Sequence, residues 1–293
     1  MQSPQTTFGT LYLVATPIGN LQDITLRAIE ILKTSDLILA EDTRHSKILL
    51  QKYQIETKTH SLHKFNEQAK SKYCIELLTS GKNLALISDA GTPLISDPGY
   101  ELVKLCHESN IIVSGIPGPC AVITALTMSG LPCSNFTFNG FLPNKSGQRI
   151  TIFKKLLNNS NTQIFYESPK RLLKTLDDLK TVFNKDKIIS VSKELTKQFE
   201  QTMTDNIENI IIFFNEHPEK LKGEFVLIIS GAEQKLSDDT NPDTEISLDN
   251  LINLLLDNNI PLKQSVKIAS ELTNVNKNTV YQKALEMKEK DEF

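Results

Sequence analysis

The stretch "NLALISDAGTPLISDPG", residues 83–99, joins an apolar run to a loop of glycine, proline and aspartate. The apolar residues at its start are typical of a short buried β-strand. The twelve residues that follow contain two Asp, two Gly and two Pro, a composition too constrained for a linker and too polar for a core. A loop of this kind at a strand end predicts a place where the backbone comes close to a ligand.

Strands and helices alternate around this loop from residue 10 to residue 122. Strands are predicted at the start of 10–20 and at 36–42, 83–89 and 111–118, with helices at 23–35, 70–81 and 99–110. The alternation predicts an α/β domain, in which ligands bind beyond the carboxyl ends of the strands. The loops "TPIGN" (16–20), "SDAGTP" (88–93) and "GIPGPC" (115–120) therefore predict a ligand cradle, with purely structural turns as the alternative.

Residues 123–232 predict a second α/β domain that has more strands than helices. Strand candidates lie at 136–143, 162–168, 187–195, 209–214 and 223–231, and one amphipathic helix spans 169–183. This ratio of strands to helices predicts a mixed sheet. The apolar run "IIIFF" (210–214) is far shorter than the roughly 18 residues of a membrane-spanning helix and is predicted to be a buried strand.

A polar stretch at 233–246 predicts a linker, and residues 247–290 predict a small helical domain. Ser247 is a candidate N-cap for the first of its three helices, and Pro261 is a candidate first-turn residue of the second. The segment "NVNKN" between the last two helices is typical of a helix-turn-helix. A plain helical packing unit fits the same pattern equally well.

The composition indicates a globular protein of a reducing cytoplasm. The 293 residues carry a net charge of −3, and the N-terminus lacks the basic and apolar regions of a signal peptide. The cysteines Cys74, Cys106, Cys120 and Cys133 are widely spaced, which argues against a zinc site and against disulfides. Residues 141–200 hold twelve Lys and Arg against six Asp and Glu, which suits a phosphate backbone or an ordinary solvated surface.

Polar side chains in two further segments are candidates for acid–base chemistry. "AEDTRHS" (40–46) supplies Glu41, Asp42 and Arg44, and "SLHKFNE" (61–67) supplies His63, Asn66 and Glu67. A capped helix start with a surface ion pair is the alternative. His60 and His63 have no evident third ligand, so no metal is expected. The glycine signatures of ordinary dinucleotide and nucleoside triphosphate sites are absent.

Longer segments resemble one known family. They are "LYLVATPIGNLQDITLRAIEILKTSDLILAEDTRHS" (11–46), "LISDAGTPLISDPGYELV" (86–103), "IPGPCAVITAL" (116–126), "FYESPKRL" (165–172) and "KELTKQFE" (193–200). Their order and spacing are similar to those of the tetrapyrrole methylase family. The resemblance extends from about Thr10 to the C-terminus, where the chain is similar to members that methylate ribosomal RNA.

The resemblance implies a two-domain α/β fold of class III methyltransferases, with S-adenosylmethionine in the cleft between the domains and a small helical appendage. It implies 2′-O-methylation of a cytidine ribose in 16S rRNA, at the decoding region of the small ribosomal subunit. It further implies a cytoplasmic homodimer that does not contact membranes. A methylase of the same fold that acts on a small molecule such as a tetrapyrrole is the alternative. A non-enzymatic RNA-binding module with structural loops is a second alternative.

The matching motifs also imply individual site residues. The residues implied to bind the cofactor are Pro17, Ile18, Gly19, Asp89, Gly91, Thr92, Cys120, Ala121, Tyr166, Glu167 and Leu195. For catalysis we expect His63 or Glu67 to remove the hydroxyl proton and Arg44 to hold phosphate, with Asp42 as a further catalytic candidate. For RNA contact we expect Lys170, Arg171 and Lys193. The chain departs from the family pattern at Lys170, at Lys193 and at the pair Lys64–Phe65.

Overall fold

The computed structural model describes residues 8–232, 248–258, 260–273 and 275–290. The chain divides into two compact units, one up to residue 233 and one from residue 234. The first unit contains two five-stranded sheets, and the second contains three helices. The linker predicted at 233–246 and the N-cap predicted at Ser247 lie outside the described residues.

The first sheet consists of five parallel strands. They are β1 (Thr10–Val14), β2 (Leu37–Ala40), β3 (Thr59–Ser61), β4 (Leu84–Ile87) and β5 (Ile112–Ile116), in the order β3-β2-β4-β1-β5. Every residue of β2 and β4 is buried, because a central parallel strand is covered on both faces. All five carboxyl ends share one side of the sheet, which we call the loop edge; residues 15–20, 41–44, 62–66, 88–99 and 117–120 follow them.

Five helices follow the strands of this sheet: the first four return the chain between its strands, and the fifth leads to the second sheet and packs against it. They are α1 (Leu26–Thr34), α2 (Thr43–Lys52), α3 (Glu67–Thr79), α4 (Tyr100–Glu108) and α5 (Ala121–Met128). The helices predicted at 23–35, 70–81 and 99–110 are confirmed by α1, α3 and α4. The sequence did not indicate α2 and β3, since α2 begins inside the polar segment 40–46 and β3 is only three half-buried residues long.

The second sheet is mixed, as the sequence predicts. Its strands are β6 (Phe136–Phe141), β7 (Thr162–Glu167), β8 (Ile188–Lys193), β9 (Gln201–Asn206) and β10 (Phe225–Ile229), in the order β6-β7-β10-β8-β9. Strands β6 and β7 are parallel and the other neighbours are antiparallel. The helices α6 (Ser146–Leu156), α7 (Leu172–Val182) and α8 (Ile207–Glu216) contribute Phe153, Leu176 and Phe214 to the core of this sheet.

The strand predicted at 209–214 is wrong, because these residues lie in α8. The side chain of Asn206 caps this helix by accepting a hydrogen bond from the backbone N–H of Asn209 at 2.8 Å. Ile207, Ile210 and Phe214 are buried, and their spacing of three and four residues is that of a helix face. The fifth strand of the sheet is instead β9, a polar edge strand beside β8 that gives little apolar signal in the sequence.

The second unit consists of α9 (Leu248–Asp257), α10 (Leu262–Thr273) and α11 (Lys277–Lys290), as the sequence predicts. Its core includes Leu251, Ile252, Val266, Ala269, Val280 and Ala284. Pro261 stands directly before α10, where its carbonyl accepts hydrogen bonds from the N–H groups of Gln264 and Ser265. Among the described helices, none is both long enough and apolar enough to cross a membrane.

Candidate active site

Loops from both sheets of the first unit enclose a cavity of about 340 Å³. The loop edge of the first sheet contributes Ile18 and parts of 88–99 and 117–121, and the second sheet contributes residues near the ends of β7, β8 and β10. A volume of this size is that of a small-molecule site. The cavity therefore lies where the strand pattern predicts a ligand.

The three loops predicted to form a cradle meet at this cavity. The backbones of Thr16 and Gly91 exchange two hydrogen bonds of 2.9 Å, which tie the first loop to the second. The hydroxyl of Thr92 donates to the carbonyl of Pro119 at 3.1 Å, which ties the second loop to the third. Gly91 has φ +80°, a conformation that favours glycine because a side chain there is strained.

Nine of the eleven residues predicted to bind the cofactor line the cavity: Ile18, Asp89, Gly91, Thr92, Cys120, Ala121, Tyr166, Glu167 and Leu195. Pro17 and Gly19 do not. Pro17 is buried directly before Ile18. Gly19 lets the segment 194–197 approach, since a Cβ atom there would lie 2.9 Å from the carbonyl oxygen of Leu195. Both residues thus support the lining from outside.

Glu41, Asp89 and Asp97 form a carboxylate cluster beside the cavity. Glu41 accepts a hydrogen bond from the backbone of Asp89, and Asp89 Oδ1 accepts one from the N–H of Asp42 at 3.0 Å. Burial and then the charge of Asp89 raise the pKa of Glu41. Burial and then the charge of Glu41 raise the pKa of Asp97 to about 6. A carboxyl group with a pKa this close to neutrality can accept a proton at physiological pH.

The described lining of the cavity contains Asp89, Asp97, Glu167 and Glu224 but no Lys, Arg or His. Such a lining disfavours phosphate groups and suits a ligand that carries positive charge. No group of three or more His, Cys, Asp or Glu side chains among the described residues is arranged to hold a metal ion.

An aromatic wall faces the same space. The ring of Tyr166 lies 5.0 Å from that of Phe138 and 5.2 Å from that of Phe141, measured between centroids. Burial raises the pKa of Tyr166, so its hydroxyl stays protonated. A wall of this kind suits the flat face of a heteroaromatic ring.

Two of the predicted catalytic residues, His63 and Glu67, lie between the end of β3 and the start of α3. The Nε2 atom of His63 lies 3.2 Å from the amide nitrogen of Asn66, and its enclosed Nδ1 atom has no hydrogen-bond partner. His63 is close enough to Glu41 for a positive charge on its ring to favour the ionised carboxylate. Glu67 has a different environment, since its Oε1 accepts hydrogen bonds of 2.9 Å from the N–H groups of Gly99 and Glu101. Its carboxylate thereby caps α4.

Asp42 and Arg44 form an exposed pair at the start of α2. Asp42 caps the helix, and its Oδ2 lies 2.7 Å from Nη2 of Arg44. The hydrogen bonds from Arg44 hold the pKa of Asp42 well below its usual range, so this carboxylate is a poor proton acceptor. The Arg44 side chain is 90% exposed and remains accessible to a phosphate.

Two of the three residues predicted to contact RNA are held in internal contacts and do not form a free basic surface. Arg171 is bound to Glu167, which is fully buried, through Nε at 2.8 Å and Nη2 at 2.6 Å. Lys193 is buried, donates to the carbonyl of Lys220 and lies over the ring of Phe225. Only Lys170 is exposed.

The basic segment 141–200 is consequently less basic at its surface than its composition indicates. Arg149 is 3% exposed and binds Asp178 at 2.6 Å. Lys197 lies within 3.0 Å of the carboxylates of Glu194 and Glu224. Ion pairs within the protein therefore neutralise part of the positive charge that the sequence predicts to be available for a phosphate backbone.

The fold and the cavity together define a class of methyltransferase. Residues 10–211 match the family described as Tetrapyrrole (Corrin/Porphyrin) Methylases, and residues 242–288 match the RsmI C-terminal HTH domain. The chain belongs to the tetrapyrrole methylase family, whose methyl donor is S-adenosylmethionine. The two-domain α/β fold class predicted from the sequence is thereby confirmed.

Two solved structures share this fold. The uroporphyrin-III-C-methyltransferase from Thermus thermophilus is 18% identical, with a TM-score of 0.51 over 76% of this chain and 92% of that chain. A cobalt precorrin-4 methyltransferase is 14% identical, with a TM-score of 0.56 over 78% of this chain and 98% of that chain. At these identities the likeness concerns the fold alone.

Curated relatives are much more similar in sequence. The ribosomal RNA small subunit methyltransferase I of Pasteurella multocida (strain Pm70) is 45% identical over 278 residues, which cover 95% of this chain and 97% of the relative. The protein of the same name in Escherichia coli O157:H7 is 44% identical over 286 residues, covering 97% and 98%.

The cavity fits S-adenosylmethionine on its own chemistry. The acidic lining, which includes Asp89 and Asp97, complements a sulfonium and an ammonium group, and the wall at Tyr166 complements an adenine ring. Gly91 keeps the second loop free of a side chain at the point where it joins the first. Residues that line the cavity can therefore hold the sulfonium, the ammonium group and the adenine ring of this cofactor.

Proposed function

We propose that this chain transfers a methyl group from S-adenosylmethionine to the 2′-hydroxyl of a cytidine ribose in 16S rRNA, at the decoding region of the small ribosomal subunit. The observation that carries the proposal is the 45% identity to a ribosomal RNA small subunit methyltransferase I over 95% of the chain. That span includes the region of the three C-terminal helices as well as the cavity. We propose a cytoplasmic location and a homodimer for the enzyme.

The cofactor residues of the proposal are the nine that line the cavity. When bound, S-adenosylmethionine supplies an electrophilic methyl group on a positively charged sulfur. The protein's task is to align the ribose oxygen with that carbon and to exclude water, since a well-oriented intramolecular reaction gains several kcal/mol from positioning. The hydrogen bonds between Thr16 and Gly91 and between Thr92 and Pro119 keep the lining fixed for this task.

The ribose hydroxyl must lose its proton, and we propose Asp97 as the acceptor. Asp97 lines the cavity, and its raised pKa of about 6 leaves it ionised at pH 7 but basic enough to take a proton. Glu41 supplies the neighbouring charge that helps to raise this pKa. His63, which the sequence suggested as the base, lies next to Glu41 and is the second candidate. Glu67 is assigned to positioning, because its carboxylate is engaged at α4.

For RNA contact we propose Arg44 and Lys170, which are exposed, together with the C-terminal helical unit. Cations in these positions neutralise phosphates without reading sequence, so their contribution depends on salt. Arg171 and Lys193 support the protein from inside instead.

The proposal is tested with small ribosomal subunits from cells that lack this chain. The purified protein and labelled S-adenosylmethionine should place label on one cytidine of 16S rRNA, and mass analysis of its nucleoside should locate the added methyl group on the ribose. An Asp97→Asn variant in parallel reports whether transfer depends on the site described. Transfer to a free tetrapyrrole but not to the subunits would contradict the proposal and favour a small-molecule methylase.

A further inference from the structure

Phe65 is the most exposed large apolar side chain in the described part of the protein, with 96% of its surface accessible. Single apolar residues on a surface are common and by themselves mean little. The surroundings of Phe65 distinguish it, because it stands on a rigid turn, among cations, at the loop edge that carries the active site.

The turn that presents Phe65 is held by hydrogen bonds on all sides. Asn66 Oδ1 accepts from the N–H of His63 at 2.8 Å, and the carbonyl of His63 accepts from the N–H groups of Asn66 and Glu67. Leu62 before the turn is completely buried, and the carboxylate of Glu67 after it caps α4. The aromatic ring is therefore displayed by a fixed backbone, which lowers the entropy lost when a partner binds.

Strand register places this turn beside a neighbouring loop that carries an exposed cation, Arg44, paired with Asp42. Ala40 at the end of β2 pairs with Ser61 at the end of β3, so residues 41–44 and 62–65 leave the sheet side by side. Residues 41–44 end in Arg44, whose side chain is 90% exposed, and residues 62–65 include the exposed Lys64. An exposed aromatic ring flanked by cations is what a single-stranded nucleic acid requires for base stacking and phosphate contact.

The turn is also close to the proposed chemistry. The ring of His63 lies 6.2 Å from that of Phe65, edge to face, and His63 in turn lies beside Glu41 of the carboxylate cluster. Strands β3 and β4 are separated only by β2, which places the turn about 10 Å along the loop edge from the 88–99 loop. A nucleotide at Phe65 would thus neighbour one whose ribose enters the cavity.

We propose that Phe65 is a stacking platform for a nucleobase of the RNA substrate next to the methylated nucleotide, with Lys64 on the adjoining phosphate. The assignment rests on the proposed function and extends it to a residue that fixes how the RNA enters the site. Phe65 contributes contact area and orientation, while Lys64 and Arg44 contribute the salt-dependent attraction.

The test compares Phe65→Ala, Phe65→Trp, Phe65→Leu and Lys64→Ala in the full chain, with small ribosomal subunits from cells lacking the protein as the substrate. Ile112→Ala is the matched control, because Ile112 is 65% exposed and pairs with Thr10 at the opposite edge of the same sheet. Each variant is measured for RNA affinity as a function of salt, for KM and kcat of methyl transfer, and for S-adenosylmethionine binding by calorimetry.

Phe65→Ala should weaken RNA binding and raise KM at least fivefold, about 1 kcal/mol, without changing cofactor affinity or the salt slope. Phe65→Trp should retain the parent affinity, and Phe65→Leu should resemble Phe65→Ala. Lys64→Ala should reduce the slope of log affinity against log salt by about one. Parent-like binding by Phe65→Ala, or full rescue by Phe65→Leu, would overturn the stacking role while leaving the proposed function intact. If the parent itself transfers no methyl group to the subunits, the proposed function and the platform both fail.

Discussion

Arg171 is held against Glu167 by two hydrogen bonds to the same carboxylate oxygen, at 2.8 Å from Nε and 2.6 Å from Nη2. The second oxygen of Glu167 accepts from the hydroxyl of Thr175 at 2.7 Å, and the N–H of Ser168 donates to the first. Since the Glu167 side chain is fully buried, this network joins the end of β7 to the start of α7 directly under the cavity lining.

Arg171→Ala should therefore destabilise the protein strongly. Removing one partner leaves a buried carboxylate without its counter-charge, which costs roughly 3–5 kcal/mol. Urea unfolding should show a lower midpoint, and the affinity for S-adenosylmethionine should fall because the lining shifts. Lys170→Ala is the matched control, since Lys170 is exposed and adjacent in sequence. Equal midpoints for the two variants would contradict the structural role of Arg171.

Substitutions of Glu67 distinguish a positioning role for its carboxylate from a catalytic role. As the cap of α4 it holds Gly99, whose φ of +129° closes the 88–99 loop that lines the cavity. Glu67→Gln keeps an oxygen acceptor for both N–H groups, so methyl transfer should remain within a few fold of the parent. Glu67→Ala removes the acceptor and should weaken S-adenosylmethionine binding together with stability, by about 1 kcal/mol for a lost cap. A general base would behave differently, with a loss of roughly a hundredfold or more in rate for Glu67→Gln.

The placement of the site could be predicted from the sequence, and the reason is specific. Loops such as "SDAGTP" follow buried strands, and parallel strands deliver their carboxyl ends to one edge, so Asp89, Gly91 and Thr92 had to lie together with Cys120. The helix at 207–216 was missed for an equally specific reason. Its β-branched and aromatic residues favour strand by propensity, and only the buried face identifies it as a helix.

The burial, ion pairing and pKa values of the charged residues could not be predicted, because they depend on contacts between distant segments. Lys193 and Arg171 look like surface cations in the sequence, but burial against Phe225 and Glu167 decides their role. In the sequence, Asp97 is marked only as the second Asp of a polar loop, which does not indicate a catalytic role. Its raised pKa depends on Glu41, which is contributed by a different strand end.

The raised pKa of Asp97 predicts that the rate of methyl transfer and the stability of the protein both depend on pH. If its carboxylate accepts the proton, kcat/KM should rise with pH, reach half its maximum at about pH 6 and level off above about pH 7, with about a tenfold loss at pH 5. The folded pKa lies above the usual aspartate value of 3.8, so the folded state binds more protons between about pH 4 and 6, and stability falls as pH rises through this window. Asp97→Asn should abolish the rate profile and become relatively more stable at pH 7. A rate profile unchanged in Asp97→Asn would transfer the assignment to His63, which His63→Gln then tests.

The positive φ of Gly91 predicts that a side chain at this position strains the backbone and weakens cofactor binding. A Cβ atom there meets only Ile18 at 3.4 Å and Pro119 at 3.8 Å, so space is available and the φ of +80° is the obstacle. Gly91→Val should lower the affinity for S-adenosylmethionine at least tenfold, about 1.4 kcal/mol, by moving the loop off Thr16. Gly130→Val is the control, because Gly130 has a similar φ of +68° in open space and does not line the cavity. Calorimetry that gave equal affinities for both variants would remove Gly91 from the site.

Truncation after residue 233 tests whether the first compact unit binds the cofactor by itself and whether the second unit is needed to bind RNA. The cavity is lined entirely by residues between Ile18 and Val226, and both five-stranded sheets precede the cut. The shortened protein should therefore fold, with a cooperative thermal transition, and bind S-adenosylmethionine with the parent affinity. Methyl transfer to small ribosomal subunits should fall at least tenfold, because a lost RNA-binding element removes affinity worth about 1.4 kcal/mol or more. Adding the separate helical unit in trans should restore little, since the effective concentration that the covalent link provides is lost. Full transfer by the truncated chain would show that α9 to α11 do not engage the RNA, and it would leave Lys170 and the loop-edge residues Arg44, Lys64 and Phe65 as the proposed RNA-binding surface.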